Sequence, residues 1–148
     1  MGEEPDDLVK VVFELPEPDM GMSGERLWAA PVGGNLYELQ NSPWHVRSVN
    51  WLDVVEAVAA NDDEWPKFIR VHKRSGHRTV HITINDAGEA RKQEILDNCR
   101  RLGCTDEGRD GTTYALDFAP GVDVIPALDY LDAMEKKELL HWRINDCD

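Results

Sequence analysis

The chain has 148 residues, 16 of them basic and 29 acidic, for a formal net charge of −13. That length makes one domain or two small ones, with core enough to fold without disulfide staples. The charge argues against a general nucleic-acid binder, whose phosphate contacts need a basic surface, and against electrostatic docking on an anionic membrane. No uncharged run is long enough to span a bilayer, and the acidic stretch Met1–Asp7 lacks an apolar h-region, so a cytoplasmic protein is expected.

The first part reads as strands. Leu8–Leu15 is a valine-rich run ended by Pro16-Glu17-Pro18, and residues 16–24, with Gly21 and Gly24, read as a loop. Arg26–Pro31 and Asn35–Gln40 flank Gly33-Gly34, a hairpin signal. Asn41-Ser42-Pro43 is a turn, Val54–Ala59 fits either a strand or a short helix, and Asn61-Asp62-Asp63-Glu64 is a polar turn before an alternating strand at Lys67–Lys73. Short strands joined by tight turns predict a small β-barrel or bent sheet.

The second part changes pattern. His77–Ile84 alternates, with Val80, Ile82 and Ile84 on one face. Asp86 followed by Glu89 is a capping-box pattern, and the helix behind it puts Ile95, Leu96, Cys99 and Leu102 on one stripe before Gly103 stops it. Cys104–Gly108 is a weak strand, Asp110-Gly111 a type I′ turn signal, and Thr112–Phe118 a strand. Asp123 caps a second helix carrying Leu128, Leu131 and Met134, with Pro126 in its first turn, and Leu139–Ile144 is a last strand. The whole is α+β: an acidic start over 1–24, a β-rich subdomain over 8–75, and a ferredoxin-like βαββαβ half over 76–148.

Charge is uneven along the chain. Residues 1–20 and 105–148 are acidic, whereas bases outnumber acids over 67–101. Taking Ser75-Gly76 as a two-residue turn pairs Lys67–Lys73 with His77–Ile84, sets Val71 against Val80, and gathers Arg70, His72, Arg74, His77 and His81 into a cationic patch. Such a patch is a solvated hairpin face, an anion or partner contact, or a proton-transfer site, since histidine titrates near neutrality. His72, His77 and His81 lack the spacing of a metal site, and neither metal nor cofactor is expected.

Of the five tryptophans, Trp28 sits in an apolar run and is assigned to the core. Trp44 and Trp65 lie beside polar or charged residues, where a tryptophan either caps the end of a barrel or anchors an interface. The odd cysteine count, Cys99, Cys104 and Cys147 without a CxxC, fits reduced thiols. No GxSxG, P-loop, GxGxxG or RNA-recognition pattern is present, which favours a non-enzymatic chain.

The segments LVKVVFEL (8–15), ERLWA (25–29), NSPW (41–44), Asp53-Val54-Val55, SGHRT (75–79) and Leu102-Gly103-Cys104, in that order, resemble the bacterial domain-of-unknown-function family numbered 4265 over about residues 8–144. The resemblance brings no catalytic residues with it. It directs interest to Ser75, Gly76 and His77, and it sets Leu52 where the family has a glycine before the aspartate. The function expected is a protein-interaction module, foremost an immunity protein that neutralises a bacterial toxin by binding the toxin's basic cleft. Asp62, Asp63, Glu64, Trp65 and Trp44 are the candidate partner contacts. The alternative is a small-molecule or anion-sensing domain using Arg70, His72 and His81, and a small enzyme using His77 or His81 as base is the remaining possibility.

Overall fold

The computed structural model describes residues 8–19 and 22–146. The acidic start at 1–7, Gly21 and Cys147 lie outside them. The chain divides into two compact units, residues 1–77 with 146–148, and residues 78–145.

The first unit is a closed barrel of five strands: β1 (Val9–Asp19), β2 (Met22–Gly33), β3 (Leu36–Leu39), β4 (Val54–Val58) and β5 (Lys67–Lys73), neighbours in that order. Period-two alternation builds it. Val11 and Phe13 on β1, and Leu27 and Ala29 on β2, turn inward to meet Leu39, Val55 and Ala57, with Phe68 packed on Phe13 at a ring separation of 4.7 Å. Burying each of the larger side chains contributes roughly 1.5–3 kcal/mol. The barrel closes where β1 meets β5 in parallel, Val12 opposite Lys67, with the Val12 N–H donating to the Pro66 carbonyl at 2.9 Å.

Three expectations change here, and one left open is settled. Of the expected loop at 16–24, residues 16–19 and 22–24 are strand: β1 runs on to Asp19 and β2 starts at Met22. The register between them shifts between Glu14 and Asp19, the stretch that holds Pro16 and Pro18, and a bulge or irregularity is where a strand accepts proline. The segment at Val54–Ala59, open between strand and helix, is the strand β4. Trp28 is not in the core. Alternation that points Leu27 and Ala29 inward sends it out, where the Lys10 ammonium lies 4.9 Å from its ring. Finally, Lys67–Lys73 does not pair with the strand after it. β5 pairs with β4, Val71 facing Val55, and the following strand belongs to the other sheet.

The second unit is a four-stranded antiparallel sheet with two helices, built from β6 (Arg78–Ile84), α1 (Lys92–Arg101), β7 (Cys104–Gly108), β8 (Thr113–Phe118), α2 (Ile125–Lys136) and β9 (Leu140–Ile144), with strands in the order β7-β8-β6-β9. Val80, Ile82 and Ile84 pack with Leu116, Phe118 and Leu140 against Ile95, Leu96, Cys99, Ala127, Leu131 and Met134. The strand at 104–108 is present. The first helix is capped one residue earlier than expected: Asn85, not Asp86, accepts the Gly88 N–H at 3.0 Å and opens a 3-10 turn at Asp86–Arg91 ahead of α1. Gly103, at φ +114°, ends α1 as expected, because few side chains tolerate that backbone. The Asp110-Gly111 turn is wider than a two-residue type I′ turn. Its Asp110 carboxylate accepts from the Thr112 and Thr113 N–H groups and the Thr112 hydroxyl, which holds the carboxyl down at about 2.

Cys99 and Cys104 are buried free thiols, and the Cys104 S–H donates to the Cys99 carbonyl at 3.3 Å. Burial pushes both up to about 12, so at neutral pH each is a protonated thiol and a poor nucleophile.

Candidate functional site

Two loops of the barrel unit hold the partner contacts expected from sequence, Trp44 on one and Asp62, Asp63, Glu64 and Trp65 on the other. The longer connects Leu39 to Val54 without helix or strand. A structureless connection of this length in a compact unit needs its own anchors. Val46 and Val49 supply apolar ones, entering the barrel core. Two carboxylates supply the polar ones.

Glu25 is the first. Its place in the alternation with Leu27 and Ala29 turns it inward, where its two oxygens accept the N–H groups of Trp44 (2.7 Å), His45 (2.9 Å) and Val46 (2.9 Å). Asn41 answers from the loop side, its Oδ1 accepting the Trp28 N–H at 2.9 Å. ERLWA and NSPW are therefore bonded to each other in both directions.

Asp53 is the second, with its side chain 1% exposed. Oδ2 accepts the Asn50 N–H at 2.9 Å and an Arg74 N–H at 3.2 Å, while Oδ1 accepts the Ser75 N–H at 2.8 Å. Arg74 also donates to the Ser48 carbonyl at 2.8 Å, and the Ser75 hydroxyl donates to the Trp51 carbonyl at 2.7 Å while accepting the His77 N–H at 3.0 Å. The His77 ring stands edge-on to Trp51 at 4.9 Å. The aspartate of Asp53-Val54-Val55 thus locks the SGH segment, as Glu25 locks NSPW. Leu52, where the resemblance has glycine, sits at φ +67°, so the tight turn is kept and a leucine is made to adopt it.

The shorter loop, between β4 and β5, carries Asp62, Asp63, Glu64 and Trp65, all exposed, Trp65 at 42%. Asn61 orders its tip, its Oδ1 accepting the Asp63 N–H at 2.8 Å and its carbonyl the Glu64 N–H at 3.3 Å. Pro66 is buried and ties the loop's far end to β1. Val58 (41% exposed) and Ile69 (45%) flank it. β5 carries an extra residue at Ile69 and another at His72 relative to β4, two bulges that re-aim its outer side chains.

The structure does not assemble the cationic patch. Arg70 pairs with Glu56 across β4, His72 is exposed at a bulge, and Arg74 is committed to Asp53. His77 packs on Trp51, and His81 lies on β6 of the other sheet, opposite Ala115 and Arg143. Trp44 belongs to the longer loop, half-buried, apart from the loop of Trp65. Among the described residues no three His, Cys, Asp or Glu side chains gather as metal ligands do. No helix among them is long and apolar enough to cross a membrane.

Sequence reasoning missed Glu25 and Asp53 as anchors. Each was detectable as an acid in register with inward-facing apolar residues, Glu25 with Leu27 and Ala29, Asp53 with Val55 and Ala57.

The fold and site define an α+β protein whose motif residues tie a long loop onto a small barrel. The chain belongs to the family described as Domain of unknown function (DUF4265), whose model matches residues 25–142. A crystal structure described as that of a hypothetical protein from Neisseria gonorrhoeae is similar in fold, with a TM-score of 0.78, 16% sequence identity and 92% of each chain covered. No curated protein matches the chain.

Proposed function

We propose that the chain is a non-enzymatic protein-interaction module, acting in the cytoplasm as an immunity-type inhibitor of a bacterial toxin with a basic cleft. The observation that carries this reading is how the acidic and hydroxyl groups of the motifs are used. Glu25, Asp53 and Ser75 are engaged by loop backbone, and the acids left open to solvent in the barrel unit include the Asp62-Asp63-Glu64 run. A net charge of −13 favours fast, steered association with a cationic partner. The β7-β8-β6-β9 order, with one helix in each crossover, supports a ferredoxin-like reading of the second unit. An anion-sensing role has less support, because Arg70 and Arg74 are already paired with carboxylates.

The test is native purification from the organism that makes the chain, followed by binding kinetics with the purified partner. The expected result is a single protein partner, nanomolar affinity, and an association rate that falls steeply as salt rises. Recovery without any protein partner, or a melting rise of several degrees on adding phosphate or another small anion alone, overturns the proposal.

A further inference from the structure

We propose that the β4–β5 hairpin is the docking surface and that it fits a protein with an apolar pocket rimmed by lysine and arginine. The inference rests on the interaction reading above and names the surface and the partner's chemistry.

Three observations converge on this arm of the barrel. First, it concentrates exposed apolar area: Val58, Trp65 and Ile69 are each more than two-fifths exposed, on two paired strands and the loop that joins them. Exposed apolar side chains scattered singly need no explanation, but a tryptophan and two aliphatic residues exposed on the same hairpin have the composition of an interface centre. Second, the presentation is ordered in advance. Asn61 fixes the tip, Pro66 is buried and bonded to β1, and the Ile69 bulge adds a residue beside the loop's exit. A side chain displayed on an ordered loop costs little entropy to dock. Third, the surroundings are signed. Asp62, Asp63 and Glu64 stand next to Trp65, and the two bases nearest the loop are paired, Arg70 with Glu56 and Lys67 with Glu14 at 3.7 Å, while exposed Lys73 lies at the far end of β5.

Charge selects the occupant. An acidic rim on a chain of net charge −13 repels nucleic acid and anionic lipid, and it repels a second copy bringing the same tip. A protein pocket with a cationic rim satisfies both features: Trp65 fills the pocket and the three acids meet its edge.

The experiment replaces Trp65 by the photo-crosslinking residue p-benzoylphenylalanine in the full chain, inside the cells that make it. A second version carries the same residue at Ile125, an exposed position on α2 of the other unit. Irradiation is expected to give an adduct with one basic protein from position 65 and none from position 125. With that partner purified, Trp65→Ala weakens binding at least about tenfold, chiefly through faster dissociation, as removal of a buried aromatic anchor does. Asp62→Lys combined with Asp63→Lys slows association and flattens its salt dependence. A control, Trp28→Ala, removes an exposed tryptophan from another strand and leaves affinity unchanged within about twofold. An adduct from position 125 but not from 65 overturns the hairpin while leaving the interaction reading intact. Adducts from neither position overturn both, and an adduct of twice the chain's own mass makes the occupant a second copy and overturns the partner proposed. Thermal melts of each variant separate lost binding from lost folding.

Discussion

The two barrel loops contain the same kinds of residue and use them in opposite ways. Between Leu39 and Val54, the loop is tied to the protein: the Trp44 backbone N–H donates to Glu25, the Trp51 carbonyl accepts from the Ser75 hydroxyl while its ring meets His77, and Asp53 is buried under three donors. Between Val58 and Lys67, tryptophan and acids face water. The difference is one of length and register. A long connection leaves many backbone N–H groups without a ladder, and each must be satisfied or solvated. Carboxylates within reach are drawn in to satisfy them. A short loop between paired strands is closed by its own Asn61 turn, which leaves its side chains unassigned. Acidic residues in this chain are therefore informative only with their environment attached, and mutating the two loops separates scaffold from surface.

The largest effect is expected at Asp53. Asp53→Ala leaves Arg74 without its carboxylate and two N–H groups, of Asn50 and Ser75, without an acceptor. Losing one partner of a buried pair costs about 3–5 kcal/mol, and Arg74 is a quarter exposed, so the low end applies, about 3 kcal/mol. Urea denaturation of the variant against the wild type measures it. A loss below about 1 kcal/mol would mean that Glu25, Val46 and Val49 hold this loop without Asp53.

Glu25→Ala comes next. It strands three N–H groups of the same loop, and solvent reaches some of them once the loop loosens, so about 2 kcal/mol is expected. Hydrogen exchange adds the sharper readout: the amides of Trp44, His45 and Val46 gain exchange while those of β6 keep their protection. Equal gains in both units would show that Glu25 supports more than its loop.

Much of this architecture was legible from sequence, and the failures have physical causes. The barrel strands, the hairpin at Gly33-Gly34 and the helix stop at Gly103 follow from alternation and from turn chemistry, which act over a few residues. The pairing of β5 with the next strand was misread because Ser75-Gly76 looks like a two-residue turn. In the fold the Ser75 N–H and hydroxyl are taken by Asp53 and Trp51, so a tertiary contact overrides the local signal. With that pairing gone, Arg70 and His72 part from His81. The sequence leaves Trp65 open between capping the barrel and facing outward; Asp62-Asp63-Glu64 before it cannot be buried cheaply, and the ring is 42% exposed. The exposure of Ile69 was not legible, because a bulge shifts the inside–outside alternation without a mark in the sequence.

A smaller effect tests the strain at Leu52. A leucine at φ +67° costs about 1–2 kcal/mol against the usual backbone, whereas glycine adopts it freely. Leucine also packs, so the comparison that isolates the backbone is between two truncations. Leu52→Gly is expected to be more stable than Leu52→Ala by about 1 kcal/mol, although elsewhere glycine is the worse choice. Matched thermal melts read the difference. Equal stabilities would mean that the turn relaxes once the side chain is removed.

The smallest effect is the one that defines the other loop. Trp65→Ala is expected to change stability by no more than about 0.5 kcal/mol, because the ring is 42% exposed and the loop's order comes from Asn61 and Pro66. A tryptophan that matters to folding loses several kcal/mol when cut to alanine, so the two roles are well separated in a denaturation curve. A near-silent Trp65→Ala beside a costly Asp53→Ala would assign the longer loop to the scaffold. It would leave the hairpin loop with a large side chain that the fold itself does not need. A cost above about 2 kcal/mol would place Trp65 among the barrel's own packing residues and remove the contrast between the two loops.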